Sequence, residues 1–157
     1  MVTPRALAAH RLIGLDTSLF VYALERHSPF ATTAEMVLDA VANGQVSAVA
    51  STLVLAELLV IPYRNAHTDV ADGYVHFLTR HAHLKLVAPD LEICRSAAEL
   101  RGALPALRLP DAVHLATSMA SGATAFLTND ARLHNLPALT VLQLPALAEE
   151  AGGRPEP

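Results

Sequence analysis

Residues 107–130 read LRLPDAVHLATSMASGATAFLTND: a loop, a helix, a turn and a strand, with a carboxylate left standing at the strand's end. Leu109 precedes a proline, which pushes it away from helical geometry. Pro110 then suits a first helical position, where its missing N–H would have no partner anyway. Asp111 falls in the first turn, where free N–H groups and the helix dipole favour a negative charge. Val113, Ala116, Met119 and Ala120 recur at helical spacing, and Gly122 supplies the stop. Residues 123–127 are short and apolar, as a buried strand would be, although periodicity alone also allows helix for so few residues. A strand there in a parallel sheet delivers Asp130 to its carboxyl end, where open α/β folds bind their ligands. Taken singly, Asp111 is equally a helix-start charge and Asp130 a turn residue. The recurrence of the same arrangement upstream shifts the balance.

Residues 12–15 form a short apolar run ending at Asp16, and a helix begins at once through Thr17, Ser18 and the apolar stretch 19–24. Asp16 or Thr17 is a fair helix cap on local grounds. A second helix covers 31–42, with Met36, Val37, Ala40 and Val41 on one face and Asn43-Gly44 as its stop. Residues 46–50 read as a strand, and Ser51 or Thr52 caps the next helix, whose inner face carries Leu55, Leu58 and Leu59. Glu57 lies among them in a strongly apolar stretch, and Pro62 kinks or ends this helix. A helix over 68–81 follows, with Val70, Tyr74, Phe77 and Leu78 as a buried stripe and Asp69 and Asp72 on the solvated side. Residues 84–87 form a third strand. Asp90 caps a helix over 91–100 with Glu92 in its first turn, residues 133–137 make a short connection, and 140–144 form a last strand.

Strands alternating with helices predict an α/β fold with a central, mostly parallel sheet of four to five strands and helices on both faces. Residues 1–147 are expected to form one domain. Residues 148–157, with Gly152-Gly153 and two prolines, are expected to be a frayed tail.

A chain of 157 residues, 52% apolar and 17% charged, has material for one substantial core. No apolar run approaches the roughly 20 residues of a membrane span, and the N-terminus lacks the apolar region of a signal peptide, so a cytoplasmic location is expected. Cys94 stands alone, which leaves no internal disulfide framework and no cysteine-based zinc site. A net charge of −4, scattered arginines and the single lysine Lys85 argue against a protein that coats nucleic acid by charge. If the substrate is a polyphosphate, a bound divalent cation would have to neutralise it.

Four acids, Asp16, Glu57, Asp111 and Asp130, are thus sent towards one edge of the sheet. Two carboxylates about 4 Å apart repel by roughly 4 kcal/mol at an effective dielectric near 20. With no lysine nearby in sequence, such a cluster calls for a cation, and its pKa values should rise in the cation's absence. An all-oxygen donor set suits Mg²⁺ or Mn²⁺, which activate water and stabilise displacement at phosphorus.

The ordered pieces LDTSLFVYALE (15–25), STLVLAELL (51–59), LPDAVHLATSMASGATAFLTND (109–130) and LTVLQL (139–144) resemble the PIN-domain ribonucleases, and more narrowly the VapC-type toxins of bacterial toxin–antitoxin pairs. Each piece is weak alone; their order and spacing over nearly the whole chain are specific. The resemblance implies a PIN-like domain and Mg²⁺- or Mn²⁺-dependent endonucleolytic cleavage of RNA. It further implies homodimerisation and inhibition by a cognate antitoxin. It assigns Asp16, Asp111 and Asp130 to the metal and Glu57 to the metal or the attacking water. Its hydroxyl positions near the metal fall on Thr17 or Ser18 and on Thr128. His114, three residues after Asp111, shares its helix face and reads either as a satisfied, partly buried histidine or as a catalytic one. Arg108 reads equally as a phosphate contact or as a surface arginine.

Other α/β readings fit less well. A phosphohydrolase of the haloacid-dehalogenase kind needs a second Asp where Ser18 stands, and a receiver-type signalling domain needs a late lysine that this chain does not offer. A module that only holds RNA or a protein partner remains as the alternative to an enzyme.

Overall fold

The computed structural model describes residues 4–26 and 28–152. Five parallel strands, β1 (Leu12–Leu15), β2 (Ser47–Ser51), β3 (Leu84–Val87), β4 (Ala125–Thr128) and β5 (Thr140–Gln143), lie in the order β3-β2-β1-β4-β5. The chain builds outward from β1 on one side, then returns to add β4 and β5 on the other. Register pairs Gly14 with Val49 and with Phe126. The carboxyl ends of β1 and β4 therefore flank the point where strand order reverses, where such sheets open a crevice.

Side chains alternate across the strands and divide the interior into two cores. Ile13, Leu15, Ala48, Ala50, Ala125 and Leu127 face one side, packed under α2 (Thr17–Glu25), α3 (Ala31–Ala42), α4 (Leu53–Leu58), and Leu78 of α6 (Thr68–Arg80). Val49 and Phe126 face the other, under α7 (Leu91–Ala103) and α8 (Leu109–Ala120). Helices thus cover both faces, as the alternation predicts. Each fully buried leucine or phenylalanine contributes roughly 1.5–3 kcal/mol of transfer free energy. Gly14 has a specific reason: a Cβ there would lie 2.0 Å from Ser118 Oγ and 2.8 Å from Phe126 Cδ2. The missing side chain lets α8 sit directly on β1, and so brings Asp111 close to Asp16's end of the sheet.

Local sequence accounts for most boundaries. Asp90 Oδ1 accepts from Ile93 N at 2.9 Å, and Ser51 Oγ accepts from Leu53 N at 3.1 Å. Gly122 adopts φ +81° after α8, as expected of the stop. The helix around Glu57 breaks at Leu59 into α4 and α5 (Val60–Arg64), with Pro62 buried just beyond the break.

Several expectations need correction. α8 begins at Leu109 rather than Pro110, with extended Arg108 as its cap, since a proline in the second position still falls where no N–H bond is needed. Met119 and Ala120 are exposed; the helix is instead buried continuously from Ala112 to Ser118 because it lies across the sheet. Val70 is also exposed, and Ala71 takes its place in the core. A short α1 (Arg5–Ala8) precedes β1, and Arg5 N donates to Glu150 Oε1 at 2.6 Å. Glu150 ends α9 (Leu144–Glu150), whose Leu147 and Ala148 are buried. The expected boundary at 147 therefore falls inside a helix, and the remainder of the expected tail, 153–157, lies outside the described residues. Among the described residues no helix is long and apolar enough to cross a membrane.

Candidate active site

β1 carries Asp16 to the sheet's edge and α2 starts there at once, so its carboxylate is both helix cap and site residue. Oδ1 accepts from Thr17 N at 2.8 Å, and Oδ2 accepts from Ser18 Oγ at 2.9 Å and Thr128 Oγ1 at 2.7 Å. The Thr128 hydroxyl in turn accepts from Asp130 N at 3.0 Å, tying the ends of β1 and β4 together. The loop beyond is pinned by Gln143 Nε2, which donates to Asp130 O at 3.1 Å, and by Asn129 Nδ2, which donates to Tyr22 Oη at 2.6 Å.

Glu57 approaches from α4. Its Oε2 accepts from Thr17 Oγ1 and lies 2.8 Å from Nε2 of His114, one turn along α8 from Asp111. Burial pushes the Glu57 carboxyl up, but the bonds from His114 and Thr17, with the charges of His114 and Arg108, hold it below its ordinary value on balance. An ionised Glu57 only accepts, so Nε2 of His114 carries the proton between them. His114 is 1% exposed, and its Nδ1 has no hydrogen-bond partner among the described residues.

Asp111 and Asp130 form the other half. Arg108 Nε donates to Asp111 Oδ2 at 3.1 Å, and its Nη2 stands 3.7 Å from Asp130 Oδ2, so one guanidinium spans both acids. Asp130 is also paired with Arg132 at 2.5 Å. The Arg132 hydrogen bond outweighs burial and, with a backbone bond and the charges of Arg132 and Arg108, holds the Asp130 carboxyl down to about 2.

The structure thus brings all four acids to one edge through a chain of contacts: Glu57 to Thr17, Asp16 to Thr128, Thr128 to Asp130, and Arg108 across to Asp111. The hydroxyls divide their work, Ser18 and Thr128 on Asp16 and Thr17 on Glu57. The expectation of raised acid pKa values fails for Glu57 and Asp130, because His114, Arg108 and Arg132 lie among the carboxylates. Arg108 is an exposed arginine, and in this structure it pairs with the acids themselves, a role that neither reading of it anticipated. His114 is more deeply buried than either reading of it assumed. Arg132, Tyr22, Asn129 and Gln143 were not foreseen as site residues. Arg132 alone left a sequence signal, an arginine two residues from a strand-end acid.

A divalent cation at this edge would meet oxygen donors only, the chemistry that suits Mg²⁺ or Mn²⁺. Arg108, set between Asp111 and Asp130, already supplies positive charge where such an ion would, so the donor set fits once that guanidinium gives way. As the side chains stand, among the described residues no three His, Cys, Asp or Glu are gathered as ligands.

Comparison with known proteins bears on this arrangement. Residues 13–139 match the family model described as "PIN domain". No curated protein matches the sequence. Among solved structures, the chain is similar to VapBC2 from Rickettsia felis bound to a DNA fragment from their promoter, with TM-score 0.67 and 19% identity over 84% of this chain and 98% of that one. It is similar to VapC20 of Mycobacterium tuberculosis, a sarcin-ricin loop cleaving toxin, with TM-score 0.58 and 15% identity over 73% and 86% of the two chains. A toxin–antitoxin complex from Klebsiella pneumoniae gives TM-score 0.54 and 18% identity over 82% and 94%. At these identities the solved structures speak for the fold, while the family model covers most of the chain: the protein belongs to the PIN domain family.

Proposed function

We propose that the chain is a Mg²⁺- or Mn²⁺-dependent endoribonuclease, the toxin of a type II toxin–antitoxin pair acting in the cytoplasm. The observation that carries this reading is the Asp16 carboxylate, fixed by three donors at the switch point of the sheet with Asp130, Glu57 and Asp111 about it. Asp16, Asp111 and Asp130 would hold the cation, and Glu57 would hold it directly or through a water. When bound, such a cation supplies a water of lowered pKa and charge for the phosphorane-like transition state. The chain's own residues do the rest. Ser18, Thr128 and the Thr17 amide keep Asp16 in one orientation, so no reorganisation is needed when substrate arrives. Glu57, ionised and held by His114 and Thr17, is ready to accept a proton from water. Arg108 and Arg132, both largely exposed, are placed to take phosphate oxygens when they leave the acids.

The partner side rests on an apolar face. Val60, Ile61 and Tyr63, which flank Pro62 in α5, and Val70 of the following α6 are all exposed. A homodimer or an antitoxin helix would cover them. A second reading, a module that binds RNA or a partner without cleaving, is favoured by the ion pairs that already neutralise Asp111 and Asp130.

The test uses purified chain free of any antitoxin and a mixture of single-stranded and structured RNA. Cleavage with Mn²⁺ that stops in EDTA is expected. Binding without cleavage would establish the second reading, and undiminished cleavage in EDTA would overturn the first.

A further inference from the structure

Beside the acids, the loop from α7 to α8 and the loop from β4 to β5 enclose a cleft of about 470 Å³. Leu115, Leu133 and Leu136 are among its walls, and Asp111, Asp130 and Arg132 line the same space. We propose that this cleft is a nucleobase pocket, receiving an unpaired base of single-stranded RNA next to the phosphate held at the acids. The inference rests on the nuclease reading for that phosphate, but the pocket itself is argued from its own geometry.

Three features select a base. The aliphatic walls offer apolar contact for a base face, and His134 and Asn135 on the β4–β5 loop also line the cleft, the Asn135 Oδ1 accepting from Val141 N at 2.7 Å. Asp111 and Asp130 belong both to the cleft and to the acid centre, so an occupant lies within one nucleotide's reach of a phosphate there. The neighbouring charge is right as well. Arg108 and Arg132 are 62% and 64% exposed; Arg108 pairs with Asp111 and Asp130 and Arg132 with Asp130, which sets two cations beside the cleft for the backbone on either side of the base. A base stacked in a duplex cannot enter such a recess; one splayed from a loop or single strand can.

The experiment uses the full chain with ¹³C-labelled leucine methyl groups, titrated with each of the four ribonucleoside 5′-monophosphates and with ribose 5-phosphate. The expected result is an upfield ring-current shift of the Leu133 and Leu136 methyls with at least one nucleotide and none with ribose 5-phosphate. Identical responses to both would mean phosphate binding at the arginines only, and no response would mean no pocket; either overturns the proposal. A second arm maps one RNA cleavage site and removes the base at each flanking position in turn. Wild type should cut one abasic substrate about 10-fold more slowly, as expected for loss of a single stacked base. Leu136→Trp, which fills the cleft at a half-buried position, should cut both substrates alike. Methyl shifts in a protein that cuts no RNA would sink the nuclease reading and leave the pocket standing. Cleavage indifferent to every base removal, with no shifts, would do the reverse.

Discussion

His114 Nε2 lies 2.8 Å from Glu57 Oε2 and 3.2 Å from Thr17 Oγ1, so a buried ring on α8 braces the one acid that comes from α4. Helices from opposite faces of the sheet meet at this contact. Neither the metal nor the substrate needs to touch His114 for it to matter, because it sets where the Glu57 carboxylate points.

Replacing His114 by Ala should therefore lower cleavage roughly 10- to 100-fold, the usual effect of losing a partner that orients a site carboxylate. It should also destabilise the fold by about 2–5 kcal/mol, since the ring is buried and leaves a cavity. His114→Gln, which keeps a side-chain N–H near Glu57, should recover part of both losses. Cleavage rates and thermal unfolding of the two variants check this; equal activity in wild type and His114→Ala would remove the bracing role.

Asp16→Asn should abolish cleavage and also destabilise the metal-free protein, by about 1–2 kcal/mol. Repulsion among bare carboxylates would have predicted the opposite. The structure instead shows Asp16 receiving three hydrogen bonds, two from hydroxyls on different elements. Asn serves as a helix cap almost as well as Asp, so the loss comes from weakened charge-assisted bonds to Ser18 and Thr128. Thermal unfolding in EDTA decides, and an Asn variant that melts above wild type would restore the repulsion picture.

Arg108→Ala should tighten cation binding. Its guanidinium spans Asp111 and Asp130 and must leave before an ion can use both. A bound ion stabilises by RT ln(1 + [L]/Kd), about 2.7 kcal/mol at a hundredfold excess over Kd. The variant should reach a given Mn²⁺-induced rise in Tm at lower Mn²⁺ than wild type, while binding RNA more weakly. An unchanged Mn²⁺ dependence would mean that the ion and Arg108 do not compete.

Acid should act through Asp130. Its carboxyl is held down to about 2 from an ordinary 3.8, chiefly by Arg132. A lowered folded-state pKa means that the stabilisation is complete above the unfolded value and disappears as pH falls through the folded one. Arg132→Ala should therefore destabilise the protein near neutral pH, and its difference from wild type should shrink between about pH 4 and pH 2. Urea midpoints of both proteins across that range check the sign; a difference constant with pH would show that the arginine acts by packing alone.

What the amino-acid sequence determined by itself is whatever depends on near neighbours in the chain. Alternating apolar runs and helix caps placed β1, α3, β3 and α7 within a few residues of where they lie. Asp16, Asp111 and Asp130 follow each from one strand end or one helix start, so local pattern alone sends them to the sheet's edge. Only tertiary structure decided what surrounds them. Glu57 reaches the site because α4 packs against α2 and α8, and His114 reaches Glu57 because Gly14 lets α8 settle onto the strand. The contacts of Thr128 with Asp16 and of His114 with Glu57 span 112 and 57 residues, beyond any window of local propensity. The signs of the Glu57 and Asp130 pKa shifts follow from the same fact. Charge in a folded site is set by which side chains share a few ångströms, and here those are arginines and a histidine that the order of the chain leaves unpaired.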